Sequence, residues 1–358
     1  MKEKILDSNF EIKSAFGEEV KFYDAESEPF KIYGVIKEDC DDRFCRLPNE
    51  VAKATSVRVS ELNYNPAGGR VRFTTNSRYI AISAKTPPKS KWTNTLFSNV
   101  GAHGFDIYEE TEDDVVFLGA FVPPLEDNDG YESIVRLESN ATRNIVINFP
   151  PYGMVKKLYI GLEPSAEVSE PTPYKNLKPI VYYGSSITQG GCVSKPGDSY
   201  EDFISRRFRV DYINLGFAGN AKAEDAIAEY ISKLDMSIFV YDYDHNAPNP
   251  AFLEATHERM FLKIREANPT LPIVMMTRPR YNVSKDTAAR LDIIRKTYNN
   301  AKERGDENVY LITGRELMAI CKNDGMLEGT HPTSLGFFSM AKALGDVIEK
   351  IYEKEVSI

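Results

Sequence analysis

Between residue 31 and about residue 162 the apolar positions come in short runs divided by turn residues. The runs are KIYGVI (31–36), RVRFTT (70–75), YIAISAK (79–85), FDIYEE (105–110), DVVFLGAF (114–121), SIVRLES (133–139), NIVINF (144–149) and KLYIGL (157–162). They are rich in Val, Ile, Tyr and Phe, and several alternate apolar with polar, the period of half-buried strands. Many short strands with frequent turns predict a β-sandwich of jelly-roll type. NPAGGR (65–70) has the composition of a hairpin loop. The segment 163–179 carries four prolines and little apolar periodicity, and reads as a linker.

Beyond the linker the period changes. Strands are predicted at 179–184, 211–217, 236–244, 271–277 and 308–313, and helices at 199–208, 222–234, 251–268, 284–305 and 334–354. Strands that alternate with helices imply an α/β fold, a parallel sheet covered on both faces in three α/β/α layers. In such sheets ligands bind beyond the carboxyl ends of the strands, so the residues that follow each strand are where chemistry is sought.

Composition sharpens this picture in a few places. At 358 residues with 42% hydrophobic side chains, the chain has core material for two domains, drawn at 1–170 and 171–358. A net charge of -9 argues against a nucleic-acid partner, which needs a concentrated basic surface. No apolar run is long enough to cross a bilayer, and the first twenty residues lack the apolar core of a signal peptide. The expectation is therefore a cytoplasmic protein, or a secreted one if a leader has been removed. Four cysteines (40, 45, 192 and 321) show no second pair at zinc-ligand spacing, and are expected as free thiols in a reducing compartment. No metal or organic cofactor is expected, and the oligomeric state is left open. Histidine chemistry must use His103, His245, His257 or His331.

Four strand-end segments carry candidate chemistry. YYGSSITQGG (182–191) sets hydroxyls after a glycine where the first strand ends, an arrangement equally common in plain turns. NLGFAGN (214–220) offers Gly219, whose N–H is a candidate donor to an oxyanion. YDYDHNAPNP (241–250) offers the amide of Asn246 as a second neutral donor, while His245 is read as a structural loop residue. NDGMLEGTHPTSLGF (323–337) places His331 before Pro332, with Glu328 three residues earlier, in reach of the far ring nitrogen. A carboxylate there would set the tautomer and stabilise the imidazolium. His257 lies inside a helical pattern and is read as packing or facing water.

Together these segments supply a nucleophile, a base and oxyanion donors, the set that acyl transfer needs. Gly184-Ser185-Ser186-Ile187-Thr188 is similar to the Gly-Asp-Ser-(Ile/Leu)-Thr motif of the SGNH hydrolases, the GDSL esterases. Glu328-Gly329-Thr330-His331-Pro332 is similar to their closing Asp-x-x-His-Pro. The resemblance spans 179–352 and implies a flavodoxin-like α/β/α domain. It implies Ser186 as nucleophile, His331 as base, and Ser186 N–H, Gly219 N–H and the Asn246 amide as the oxyanion hole. Two positions depart from the motif. Ser185 replaces its aspartate, which makes Ser185 a minor rival nucleophile, and Glu328 replaces the acid of the triad. Gly104-Phe105-Asp106-Ile107-Tyr108 resembles the Gly-x-Asp-Leu-Tyr motif of a β-sandwich that precedes bacterial members of this family, carbohydrate acetylesterases among them.

The implied activity is hydrolysis of short acyl esters, O-acetyl foremost, on an oligosaccharide or small molecule through an acyl-enzyme. A lipase or thioesterase would use the same groups, as would a transferase that passes the acyl group to another alcohol. A non-catalytic carbohydrate-binding protein on the same scaffold is the alternative of a different class. Arg278 at the end of the fourth strand, Trp92 and His103 are candidate substrate contacts. Arg280 shares the Arg278 segment, and Trp92 reads equally as a core or interface anchor.

Overall fold

A computed structural model gives the fold and describes residues 9–13, 17–88, 96–126 and 129–356. The chain divides into two compact units. The first runs to Cys45 and adds Tyr64–Pro173 and Lys195–Gly197. The second takes Arg46–Asn63, Tyr174–Ser194 and Asp198 onward. Residues 46–63, inside the range drawn as the first domain, therefore pack with the second unit as two short helices, α1 (Asn49–Thr55) and α2 (Val57–Leu62).

The first unit is built on eleven strands among its described residues: β1 (Asn9–Lys13), β2 (Glu19–Asp24), β3 (Lys31–Tyr33), β4 (Arg70–Thr75), β5 (Tyr79–Lys85), β6 (Phe105–Glu110), β7 (Val115–Phe121), β8 (Tyr131–Arg136), β9 (Arg143–Asn148), β10 (Lys157–Leu162) and β11 (Val168–Ser169). One antiparallel sheet has the order β1-β2-β10-β5-β8, and the other β11-β4-β9-β6-β7 with β3 beside β4. A one-turn helix, α3 (Asn99–His103), leads into β6. Phe73, Ile80, Ile82, Phe105, Ile107, Ile145, Ile147 and Ile160 are fully buried in one core. On β4 the alternation hides a surprise: Arg70 and Arg72 are buried as well. Arg72 is tolerated there because it forms an ion pair with Glu110 and lies over the Tyr33 ring.

Two expectations fail in this unit. NPAGGR is not a hairpin loop, since it joins α2 to β4 and no strand precedes it. Cys40 and Cys45 are not free thiols but a disulfide, with Cα atoms 6.0 Å apart. Asp39, Asp41 and Asp42 adopt positive φ, so the chain doubles back between the two sulfurs, and no hydrophobic pattern announces such a turn. Cys192 and Cys321 are free.

The second unit holds a five-stranded parallel sheet of β12 (Asn176–Gly184), β13 (Val210–Gly216), β14 (Ile238–Asp242), β15 (Ile273–Met276) and β16 (Val309–Ile312). Its order is β13-β12-β14-β15-β16, the 2-1-3-4-5 arrangement of a doubly wound sheet. The helices are α4 (Tyr200–Phe208), α5 (Asp225–Ser232), α6 (Pro250–Ala267), α7 (Lys285–Glu303), the one-turn α8 (Gly314–Leu317) and α9 (Ser334–Val356). Alternate strand residues face opposite layers. Val181, Tyr183, Leu215, Phe239, Tyr241, Ile273 and Met275 pack with α5, α6, α7 and the α1–α2 segment. Ile180, Tyr182, Tyr212, Ile238, Val240, Val274 and Met276 pack with α4 and α9. The strand order reverses between β12 and β14, and a crevice opens at such a point.

Candidate active site

The turn after β12 begins at Gly184, where a side chain has no room. A Cβ there would lie 2.1 Å from Thr188 Oγ1 and 2.4 Å from the Asp242 carbonyl oxygen. Ser185 follows, fully buried, with its N–H donating to the Asp242 carbonyl at 3.1 Å and its Oγ accepting from Ile187 N–H at 3.2 Å. Ser185 is thus held inside the turn, and Ser186 is the partly exposed hydroxyl of the pair.

The chain returns to this point 145 residues later. Ser186 Oγ lies 2.8 Å from His331 Nε2. On the far side of the ring, His331 Nδ1 lies 2.6 Å from Glu328 Oε1. The same oxygen accepts the His331 backbone N–H at 2.8 Å. The loop folds back because Leu327 N–H donates to the His331 carbonyl at 2.9 Å and Thr333 N–H to the Gly325 carbonyl at 2.8 Å. Burial raises the Glu328 carboxyl, but the side-chain and backbone hydrogen bonds from His331 outweigh it and hold the group below its ordinary value. Glu328 is therefore ionised at neutral pH. A hydroxyl, an imidazole and a carboxylate so aligned can pass one proton from the hydroxyl to the ring while the carboxylate holds the ring in place.

The donors expected for an oxyanion come from two further strand ends. Phe217 to Asn220 form a turn closed by Asn220 N–H donating to the Phe217 carbonyl at 2.8 Å. Gly219 is its third residue with φ +70°, as a type II turn requires. Gly219 is exposed, and its N–H has no partner among the described residues. Asn246 gives one amide hydrogen to the Phe217 carbonyl at 2.9 Å, which fixes the amide plane against this turn and leaves the second hydrogen for another acceptor.

The sequence profile of the GDSL-like lipase/acylhydrolase family matches residues 177–349. That of the GxDLY family, the N-terminus of SGNH-hydrolase-type esterases, matches residues 20–168. The chain thus carries a GDSL-type hydrolase domain over residues 177–349. It is an ester-cleaving acylhydrolase by family. A protein from Bacteroides ovatus described as a GDSL-like lipase is similar to it at 26% identity and a TM-score of 0.82, over 93% of this chain and 98% of that one. The salicylyl-acyltransferase SsfX3 of a tetracycline biosynthetic pathway is similar in fold at 19% identity and a TM-score of 0.73, over 90% and 95% of the chains. So is an acetyl xylan esterase of the rumen bacterium Butyrivibrio proteoclasticus, at 12% identity and 0.58, over 92% and 98%. No curated protein matches the sequence.

Other predicted contacts of this GDSL-type hydrolase are placed differently. The Arg278 guanidinium is already engaged, 3.2 Å from Asp286 and 3.4 Å from the Asp244 carbonyl, with Asp244 Oδ2 at 3.7 Å. With Arg290, which donates to the Asp244 and Ala247 carbonyls at 2.6 and 2.9 Å, it braces the loop that carries Asn246. His103 packs in the first unit beside Gly153 and lines a small cavity with Tyr131 and Tyr152. Trp92 lies outside the described residues. His257 is buried between Tyr241 and Thr297, and burial lowers its pKa to about 3, so it is a neutral core residue. The Asp106 carboxylate of the Gly-x-Asp motif is fully buried in the first unit, accepting from Asn148 Nδ2 at 2.8 Å and Gly197 N–H at 2.7 Å. Among the described residues no group of His, Cys, Asp and Glu is arranged to hold a metal ion, and no helix is long and apolar enough to cross a membrane.

Three residues that the sequence reading missed tie these loops together. Gln189 Oε1 accepts Ala218 N–H at 3.0 Å, which joins the Ser186 turn to the Gly219 turn. Asn214 donates to the Thr188 carbonyl at 2.6 Å and accepts Gly216 N–H at 2.9 Å, joining the same two segments lower down. Arg46 is buried with its guanidinium on the carbonyls of Gly216 and Leu62 and 4.3 Å from the centre of the Phe217 ring. Asn214 had a signal, being a lone amide in a buried strand. Arg46 had none, because its partner lies 170 residues away.

Proposed function

We propose that this hydrolase removes short acyl groups, acetyl foremost, from carbohydrate esters by a two-step serine mechanism. Ser186 Oγ attacks the ester carbonyl carbon while His331 Nε2 takes its proton. The oxyanion is held by the N–H groups of Ser186 and Gly219 and by the Asn246 amide. His331 then returns the proton to the leaving alcohol as the tetrahedral intermediate collapses to an acyl-Ser186. Water repeats the cycle and frees the acid. Glu328 keeps the proton of His331 on Nδ1 and stabilises the imidazolium.

The observation that carries this reading is the continuous run of contacts from Ser186 through His331 to Glu328, at 2.8 and 2.6 Å. The family match supports ester chemistry, and the fold likeness to an acetyl xylan esterase supports a sugar acetate as substrate. The strand order of the first unit supports a jelly roll: with β1, β3 and β11 set aside, its two sheets pair eight strands in the two-Greek-key order. We take it as an accessory domain over 1–170, less residues 46–63, ahead of a hydrolase domain over 171–358 that those residues complete. The Cys40–Cys45 bond favours the secreted alternative over a reducing cytoplasm.

The test is turnover of p-nitrophenyl acetate, then acetate release from acetylated xylan, mannan and pectin, by wild type and Ser186→Ala. Wild-type turnover that the substitution abolishes is the expected result, and equal rates would remove the mechanism. A second reading, transfer of the acyl group to an alcohol other than water, is favoured by the likeness to a salicylyl-acyltransferase. It predicts an ester product that rises with added acceptor.

A further inference from the structure

Around the loop that follows β15 lie Arg278, Arg280 and Arg290, and among the described residues only two of these three are neutralised. Arg278 meets Asp244 and Asp286, and Arg290 meets Asp286 at 2.9 Å besides two backbone carbonyls. Arg280, two residues beyond Arg278, has neither a carboxylate nor a hydrogen-bond acceptor among the described residues. Its side chain is half-buried, and its Nε is fully shielded with no partner. Leaving a buried donor without an acceptor is costly. The guanidinium is directed at the loop that carries the triad: its Nη2 lies 3.9 Å from where a Cβ on Gly329 would stand, between Glu328 and His331. A second buried polar atom without a partner lies in the field of Arg280. His245 Nε2 is buried without a partner among the described residues, and burial, then the positive charges of Arg278 and Arg280, hold this imidazole neutral.

Resting on the esterase reading above, we propose that Arg280 recognises a carboxylate on the substrate. The preferred ester would then sit on an acidic sugar, a uronic-acid type, in place of a neutral one. A planar carboxylate matches the guanidinium fork and would pair with the Nη groups of Arg280, which have no acceptor among the described residues. Arg278, which the sequence favoured for this task, is occupied by Asp244 and Asp286.

The experiment compares kcat/KM for a matched pair, an O-acetylated methyl glucuronoside and the O-acetylated methyl glucoside with the ester at the same carbon. Wild type is expected to favour the acidic member by on the order of 10- to 100-fold, the range of one charge-assisted contact. That ratio should shrink as salt is raised. Arg280→Met should bring the ratio to about one, and Arg280→Lys should leave part of it. The ratio reads recognition even where a variant loses activity overall, and the salt series on wild type stands if Arg280→Met fails to fold. A wild type that turns over both members equally, or a ratio untouched by Arg280→Met, overturns the proposal while leaving the esterase reading intact. No turnover of either sugar or of p-nitrophenyl acetate would instead remove the esterase reading on which it rests.

Discussion

Replacing Glu328 by glutamine separates what its charge does from what its shape does. Glu328 Oε1 accepts two N–H groups of one residue, His331 Nδ1 at 2.6 Å and the His331 backbone at 2.8 Å. A glutamine amide turned the wrong way would set its NH2 against both donors, so the oxygen should keep its place and the ring its tautomer. What is lost is the charge beside the imidazolium that the proposed mechanism forms when Ser186 gives up its proton. Two unit charges about 4 Å apart interact by about 1 kcal/mol in water and about 4 kcal/mol at the effective dielectric of a protein surface. The Glu328 side chain is 36% exposed and that of His331 18%, so solvent screens part of this. A value of roughly 2–3 kcal/mol gives a fall in kcat of about 30- to 150-fold. Glu328→Ala also frees the ring to turn and to change tautomer, and should cost about 10³-fold or more. Because the carboxyl sits below its ordinary value, its own titration should add nothing to the glutamine deficit above pH ~5, where the wild-type group is already ionised. Steady-state hydrolysis of p-nitrophenyl acetate by the three proteins measures all of this. Glutamine and alanine variants that both fold and both keep kcat within threefold of wild type would refute the reasoning.

Three further tests bear on the scaffold. Gly216→Ala would bring a Cβ within 2.2 Å of Gln189 N and 2.6 Å of the Thr188 carbonyl carbon, so backbone must shift and hydrolysis should collapse. Gly219→Ala meets no atom within 4 Å and bears only the cost of φ +70°, about 1–2 kcal/mol, seen as a small fall in the thermal midpoint. The reverse ranking of the two in a melting experiment would contradict the packing described. Thiol titration in denaturant without reductant should find two groups per chain, Cys192 and Cys321, and four after reduction; four at the outset would rule out the Cys40–Cys45 bond. Glu201 is fully buried, and burial raises its pKa well above the ordinary value, against a smaller opposing effect of the polar groups of its own turn. A raised folded value means the folded state holds the proton more tightly. Stability is then greatest below the unfolded pKa of about 4.3, and falls as pH rises toward the folded value by about 1.4 kcal/mol per unit. Glu201→Gln should therefore raise the urea midpoint near pH 7 and change it little near pH 4, and an equal change at both would contradict the sign.

The sequence was readable where a single segment carries the physics. RVRFTT and YIAISAK became β4 and β5 over the residues read, because period-2 alternation is a property of neighbours in the chain. The five parallel strands and the long helices between them were legible for the same reason. Ser186 and His331 stood out because each follows a glycine at a strand end or before the last helix, a local signal. What stayed hidden depends on partners far apart in sequence. Residues 46–63 lie between strands of the first unit, and nothing in their composition says that Leu47, Ala52 and Val59 complete the core beneath α5 and α6. Arg278 and Arg280 show the limit most plainly. Both arginines follow β15 and carry the same charge, so the sequence could rank them only by position, and it favoured Arg278. Asp244 and Asp286, 34 residues before and 8 after, decide the matter by occupying that one and leaving the other open. A free charge at a strand end is thus a statement about where the acids fold, and motif reading has no access to it until the acids have coordinates.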